Sequence, residues 1–461
     1  LTEARRLVLD SFYGNSNLTW SLVGPRGTVF SGRNLVNSDA AGLGSTSPVL
    51  DLTAGDYVLT VDGSADTVGA FGFRFLDITT GSTIAYDTAV NGTLDPANMT
   101  QVFHFDATTG ERLFFQRTSI GSISYTPYIR LLDPFWRQVY YGSFADTDNL
   151  LIAFTGNYTL LLEGDARQIG TTAYAVKLHR IVDEAAVLSL DTTVNGSLAM
   201  PGQVDRYSFT LASDTRVEFD SLTPSTSITW SLTGRQGTVA SRSFYYSDSD
   251  SIGSANPFML LKAGTYTLTV DGDGVTTGDY AFRLLTAASA QTIALDTEIA
   301  GVAIDAYATR LFRFDATAGD QVMLDFLERS NTTYPYWRLF DRNGTQLHYG
   351  YFANDSATLT LGYTGSYILA IENRIYDGAG TLRFQVSTKG HVDLPVPPAG
   401  DPITLGATVS GTLTSNSDSK LYGFDLATNS RLMFDALSGT YPQWSLAGPD
   451  GTVVASRNFY A

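Results

Sequence analysis

Any chemistry in this chain must come from histidine, acid or hydroxyl groups, because its 461 residues include no cysteine and only four histidines. His104, His179, His348 and His391 fall at different places in a repeating pattern, and none sits in the nucleophile motif that an acyl-transfer triad requires. No HExxH pair, Walker loop or dinucleotide-binding glycine pattern occurs, so the chain is not expected to be an enzyme. Two acidic loops offer other chemistry: SDSD, with Asp248 and Asp250, and DGDG, with Asp271 and Asp273. Calcium takes several oxygen ligands from such closely spaced carboxylates, whereas Asp-Gly alone is also ordinary turn chemistry. Calcium is thus the one cofactor the sequence points to.

A third group is aromatic. Tyr140, Tyr141 and Phe144 lie in VYYGSFAD, Tyr245 and Tyr246 in FYYSDSD, and Tyr349, Tyr351 and Phe352 in HYGYFAND. Such residues fill a core, make the contact with the next domain or chain, or form a platform for a sugar or peptide. Partners are limited further by a net charge of -17, which argues against binding a nucleic-acid backbone. No stretch approaches the roughly 18 apolar residues of a membrane-spanning helix. Acidity and the absence of cysteine fit a secreted or surface protein held by packing, hydrogen bonds or hard cations.

The elements that carry these residues repeat. LKAGTYTLTVDG from Leu261 recurs as LTAGDYVLTVDG from Leu52, FTGNYTLLLEG from Phe154 and YTGSYILAIEN from Tyr363. In each, a Gly two residues ahead of a Tyr marks a turn, and Tyr266, Leu268 and Val270 alternate with Thr265, Thr267 and Thr269 as on a half-buried β-strand. A second landmark opens at Trp20, Ile129, Trp230, Trp337 and Trp444, spaced by 109, 101, 107 and 107 residues. Gly92, Gly196, Gly301 and Gly411, read as turn glycines, keep similar spacing. The period, about 105 residues, is that of a small domain and not of a solenoid repeat.

Many short strands without a long amphipathic helix predict an all-β tandem array of jelly-roll-like antiparallel sandwiches. The expected boundaries are a partial module at 1–79, modules at 80–181, 182–287 and 288–390, a Pro-rich linker at 391–402 and a partial module at 403–461. The first lacks opening strands and the last lacks closing ones, as in a window on a longer array. Were these the ends of a processed chain, strands of one copy could complete another, so further copies of itself are expected partners beside adjacent modules. The modules also alternate: those with Trp20, Trp230 and Trp444 read Trp-Ser-Leu, those with Ile129 and Trp337 read Arg-Leu-Leu-Asp or Arg-Leu-Phe-Asp.

The order of an aromatic-x-Phe strand, then RLFDRNGTQ, then GTYTLTVDG resembles the bacterial pre-peptidase C-terminal domain. This resemblance covers nearly the whole chain and implies non-catalytic β-sandwich modules found beside secreted proteases and in large surface proteins. Some relatives bind collagen, carbohydrate or calcium, but Ser-Leu or Arg-Leu stands here where the family has Asp-Leu, so no ligand site is carried over from that strand. The expected function is a structural segment of an extracellular bacterial repeat protein, such as an adhesin shaft, surface layer or fibre subunit. The alternative is an array of carbohydrate- or matrix-binding accessory modules attached to a secreted enzyme.

Overall fold

The computed structural model describes the chain except residues 13–15, 65, 333–334, 395–399, 427–429, 438–441, 449–450 and 460–461, and the side chains at 250, 451, 452 and 455. Pro395, Pro397 and Pro398 of the expected linker, and the last two residues of the final aromatic recurrence, lie outside the described residues.

The repeated Tyr strand sits in the middle of a sheet. In the third module Gly264–Gly272 lies between Val204–Leu211 and Ile228–Gly234, with Ala185–Val187 and Gly237–Ser243 at the edges. A four-stranded sheet faces it, in the order Val194–Leu198, Gly278–Thr286, Thr215–Ser221, Phe258–Leu261. The second and fourth modules repeat this five-on-four arrangement, and every pairing is antiparallel except the short edge strand with its neighbour. The chain is therefore all-β, a series of sandwiches.

Alternation sets the core. Tyr266, Leu268 and Val270 are buried, and they pack with Trp230, Phe219, Phe244 and Phe282 between the sheets. Ile129 takes the place of Trp230 in the second module and Trp337 in the fourth. Strands at 5–77 form two three-stranded sheets around Trp20. Beyond residue 400 the described strands form two pairs, and Phe434 stacks on Trp444 at 4.0 Å much as Phe219 does on Trp230 at 4.1 Å.

The Gly and Tyr of the repeat act together. Gly55, Gly156, Gly264 and Gly365 all have φ between 135° and 152°, which an L side chain rarely adopts. Two residues later the Tyr hydroxyl donates to the carbonyl four residues before it: Tyr57 to Thr53, Tyr158 to Phe154, Tyr266 to Lys262 and Tyr367 to Tyr363 at 2.7–3.0 Å. Each strand is thus latched to the loop that delivers it. Gly92 and Gly196, by contrast, are not in turns but inside the strands Val90–Leu94 and Val194–Leu198. A Cβ there would lie 2.3 Å from the Tyr174 hydroxyl and from the Tyr280 ring, so glycine is needed for these tyrosines to pack over the strand.

In the third module, Gly264→Ala should cost about 1–3 kcal/mol from backbone strain, and Tyr266→Phe about 1 kcal/mol from the lost hydrogen bond. Urea unfolding resolved by module through hydrogen exchange measures both.

Candidate functional site

The feature that separates the two module types is where each alternates with the next. Arg130 and Arg338 lie mid-strand in YIRLL and YWRLF, and neither is exposed to solvent. Arg130 donates through Nε and Nη2 to Glu163 at 2.9 and 3.1 Å, to the Thr46 and Gly44 carbonyls of the preceding module at 2.9 and 3.1 Å, and to Gln138. Its Nε–H and four Nη–H groups are all used, and the Tyr141 ring lies 4.6 Å from it. Arg338 repeats the set 208 residues later: Glu372 at 2.9 Å, the Ala255 and Ser249 carbonyls at 3.1 and 2.8 Å, Gln346 at 3.2 Å and the Tyr349 ring at 4.7 Å.

A second pair of contacts repeats beside each arginine. Asp10 accepts from Arg74 and from both the N–H and hydroxyl of Thr100, while Asp220 accepts from Arg283 and the Thr309 N–H. Around these polar contacts lie apolar seams drawn from both modules: Val8, Ile78, Val102, Leu132 and Leu161 at one joint, Leu285, Leu311, Phe340 and Ala370 at the other. Modules one and two, and modules three and four, are therefore packed into pairs.

The contact between modules two and three is of another kind. Arg112 donates to the Gly202 carbonyl at 2.8 Å, to Asn149 at 3.2 Å and to Asp183, which also takes Arg206 at 2.7 Å. Beside it opens a cleft of about 420 Å³ lined by Asp148, Asn149, Gly202, Asp271 and Asp273. Partial burial raises the Asp271 carboxyl above its ordinary value.

The sequence-designated residues separate accordingly. Asp271 and Asp273 share the cleft; Asp248 is buried at the joint of modules three and four, where it accepts the Ser221 N–H at 2.6 Å, and the Asp250 side chain lies outside the described residues. Among the described residues no group of three histidine or acidic side chains is placed to hold a metal. Phe144 and Phe352 are core, and Tyr140 lines the second core with its hydroxyl 3.2 Å from Thr147. Tyr141 reaches the preceding module, donating to the Ala40 carbonyl at 3.1 Å, and Tyr349 stacks on Tyr336. Tyr351 borders Tyr336 and is half exposed, as is Tyr246, which packs edge-on against Tyr245.

Of the histidines, His104 meets Thr159, His179 meets Asp87 and Gln116, His391 meets Asp320, and His348 packs on Trp337. Burial lowers the His348 pKa.

Sequence reasoning did not single out Arg130, Arg338, Glu163 or Glu372, although an arginine inside an otherwise apolar strand was a visible signal. It also passed over Glu218, whose two oxygens are buried without a hydrogen bond. Burial first, then neighbouring carboxylates, push Asp39, Glu218 and Asp248 well above the usual carboxylate range.

Neither a protein-family model nor a curated protein sequence matches the chain. Among solved structures it is similar to the pre-peptidase C-terminal domain of a collagenase from Bacillus anthracis, at 26% identity over 22% of this chain and 96% of that one, with a TM-score of 0.18. It is also similar to the CUB1-EGF-CUB2 domains of rat MASP-1, at 8% identity over 44% of this chain and 100% of that one, with a TM-score of 0.17. Among the described residues no helix is long and apolar enough to cross a membrane.

Arg338→Ala leaves Glu372 buried without its partner and should destabilise the joint by about 3–5 kcal/mol. Arg112→Ala, at the open cleft, should cost at most about 1 kcal/mol. Limited proteolysis and thermal unfolding of the full chain distinguish the two.

Proposed function

We propose that this chain is a non-catalytic structural segment of an extracellular bacterial repeat protein: a shaft, surface layer or fibre built from rigid two-module units. The observation that carries this reading is the recurrence of one dry, arginine-centred joint 208 residues along the chain, with a polar cleft between the two occurrences. Two β-sandwiches fastened by a buried ion pair and an apolar seam turn as one body, and the open, polar contact between such pairs is the place to bend. The aromatics after each Trp-type strand support the same reading. Their phenylalanines fill cores, and Tyr141 and Tyr349 lie against the joint arginines, so they do not form a matching row of exposed rings along the array.

The rival reading, an array of carbohydrate- or matrix-binding accessory modules, draws on one place. Phe135 and Phe154 are exposed, edge-on at 5.4 Å, with Arg137 against both rings. That is one cluster in one module.

Small-angle scattering and negative-stain microscopy of the full chain should show residues 1–390 as two rigid pairs joined by one bend. Arg130→Ala and Arg338→Ala should each add a bend. Independent motion of all modules in the unaltered chain would sink the paired-unit reading, and selective capture by a glycan or matrix array, lost in Phe135→Ala, would favour the rival. Repeating the scattering with calcium and with a chelator tests whether the carboxylates of the cleft between modules two and three take the cation.

A further inference from the structure

The two joints are built alike, but they differ at one buried position. Val8 in the first module and Glu218 in the third stand at the same place, two residues before Asp10 and Asp220, and both are fully buried. Val8 belongs to the apolar seam of its joint. Glu218 is aligned with Phe258 on one neighbouring strand and Leu285 on the other, and neither of its oxygens has a hydrogen-bond partner.

The charges around Glu218 do not balance. Facing it are Asp220 from its own strand, Asp248 from the loop above, Glu372 and Arg338 from the fourth module, and Arg283 from the closing strand of the third. Arg338 is committed to Glu372 and Arg283 to Asp220. Four buried carboxyls therefore meet two guanidinium groups. At the first joint the corresponding set is Asp10, Asp39 and Glu163 against Arg74 and Arg130, one carboxyl fewer. An isolated buried carboxylate is far too costly to keep, so the surplus groups, two at this joint and one at the first, must hold protons. Glu372 is the neighbouring carboxylate that acts most strongly on Glu218.

We propose that the joint between the third and fourth modules is locked by a proton held on the buried Glu218 beside Glu372, and that it opens as the medium turns alkaline, with one more proton released than at the joint between the first and second modules. A buried carboxyl that titrates above its ordinary range binds its proton in the closed joint and releases it when the joint opens to water. The stabilisation is fully present below the ordinary carboxylate pKa and is lost as pH rises toward the raised value. Asp39 and Asp248 give both joints a shared dependence of this sign, and Glu218 adds a step to one of them alone.

Because the chain has no cysteine, a pair of dyes can be placed on introduced cysteines across either joint of the 461-residue chain. Energy transfer followed from pH 5 to pH 9 should show the opening constant of the third-to-fourth joint climbing by up to about tenfold per pH unit more steeply than that of the first-to-second joint. Glu218→Val, which copies the first joint, and Glu218→Gln, which keeps a donor but cannot ionise, should both remove the difference. A protonated-carboxyl infrared band near neutral pH, to which Asp39 and Asp248 also contribute, should lose one carboxyl's share of its intensity in Glu218→Gln. Equal pH dependence at the two joints, or the unaltered difference in Glu218→Gln, would overturn the proposal. Should Glu218→Val fail to fold, Glu218→Gln and the infrared band decide the matter.

Discussion

A guanidinium buried beyond the reach of water commits everything around it. Arg130 and Arg338 have five N–H groups each to satisfy, and one carboxylate and one amide oxygen from their own module take three of them in Arg130 and two in Arg338. The preceding module supplies the missing acceptors as backbone carbonyls from a single loop. That loop must be held in one shape to aim them, and at each joint it includes a non-glycine residue in the left-handed region, Ala40 at φ 41° and Ser249 at φ 54°. Strain of this kind persists only where surrounding contacts outweigh it, and the Tyr141 bond to the Ala40 carbonyl and the Arg338 bond to the Ser249 carbonyl are among those contacts.

From this constraint the architecture follows. Only one module type carries the arginine and only the other carries the loop, so tight joints alternate with looser ones, and the unit that repeats is a pair. A buried ion pair of this sort contributes less to net stability than to uniqueness of arrangement, since its removal from water offsets much of its attraction. The apolar seams supply the stability, and the arginine selects one way to dock them. The charges at the cleft between pairs, Arg112, Asp183 and Arg206, are partly exposed and so more screened than the fully buried joint arginines, which leaves that contact comparatively soft.

Much of the fold was legible before the structure. The Gly and Tyr landmarks, the alternation of Tyr266, Leu268 and Val270, and the spacing of the Trp strands all report local requirements: a positive φ, a two-residue period and a large side chain between sheets. Gly92 and Gly196 show how one signal has two causes, since glycine serves a turn and also a ring packed over a strand. The site was legible only as a symptom. Two kinds of module could be told apart by Trp-Ser-Leu and Arg-Leu, but nothing in those letters says that the arginine faces a neighbouring domain. In SDSD the carboxylates looked like ligands for a cation, yet Asp248 lies at a joint and holds the Ser221 N–H.

By itself the sequence determined the strand order, the module period, the alternation of types and the absence of thiol chemistry, because each depends on residues close together in the chain or on composition. Tertiary structure alone decided which outward-facing residues are truly outside. Glu218 sits between Val217 and Phe219 in a strand whose alternate residues point to the core, so its own side reads as solvent-facing. The fourth module covers that side, and a carboxyl that should have been hydrated becomes one of four gathered around two arginines. Periodicity tells which side of a strand its own core covers; whether another domain covers the other side depends on partners some 90 to 150 residues away.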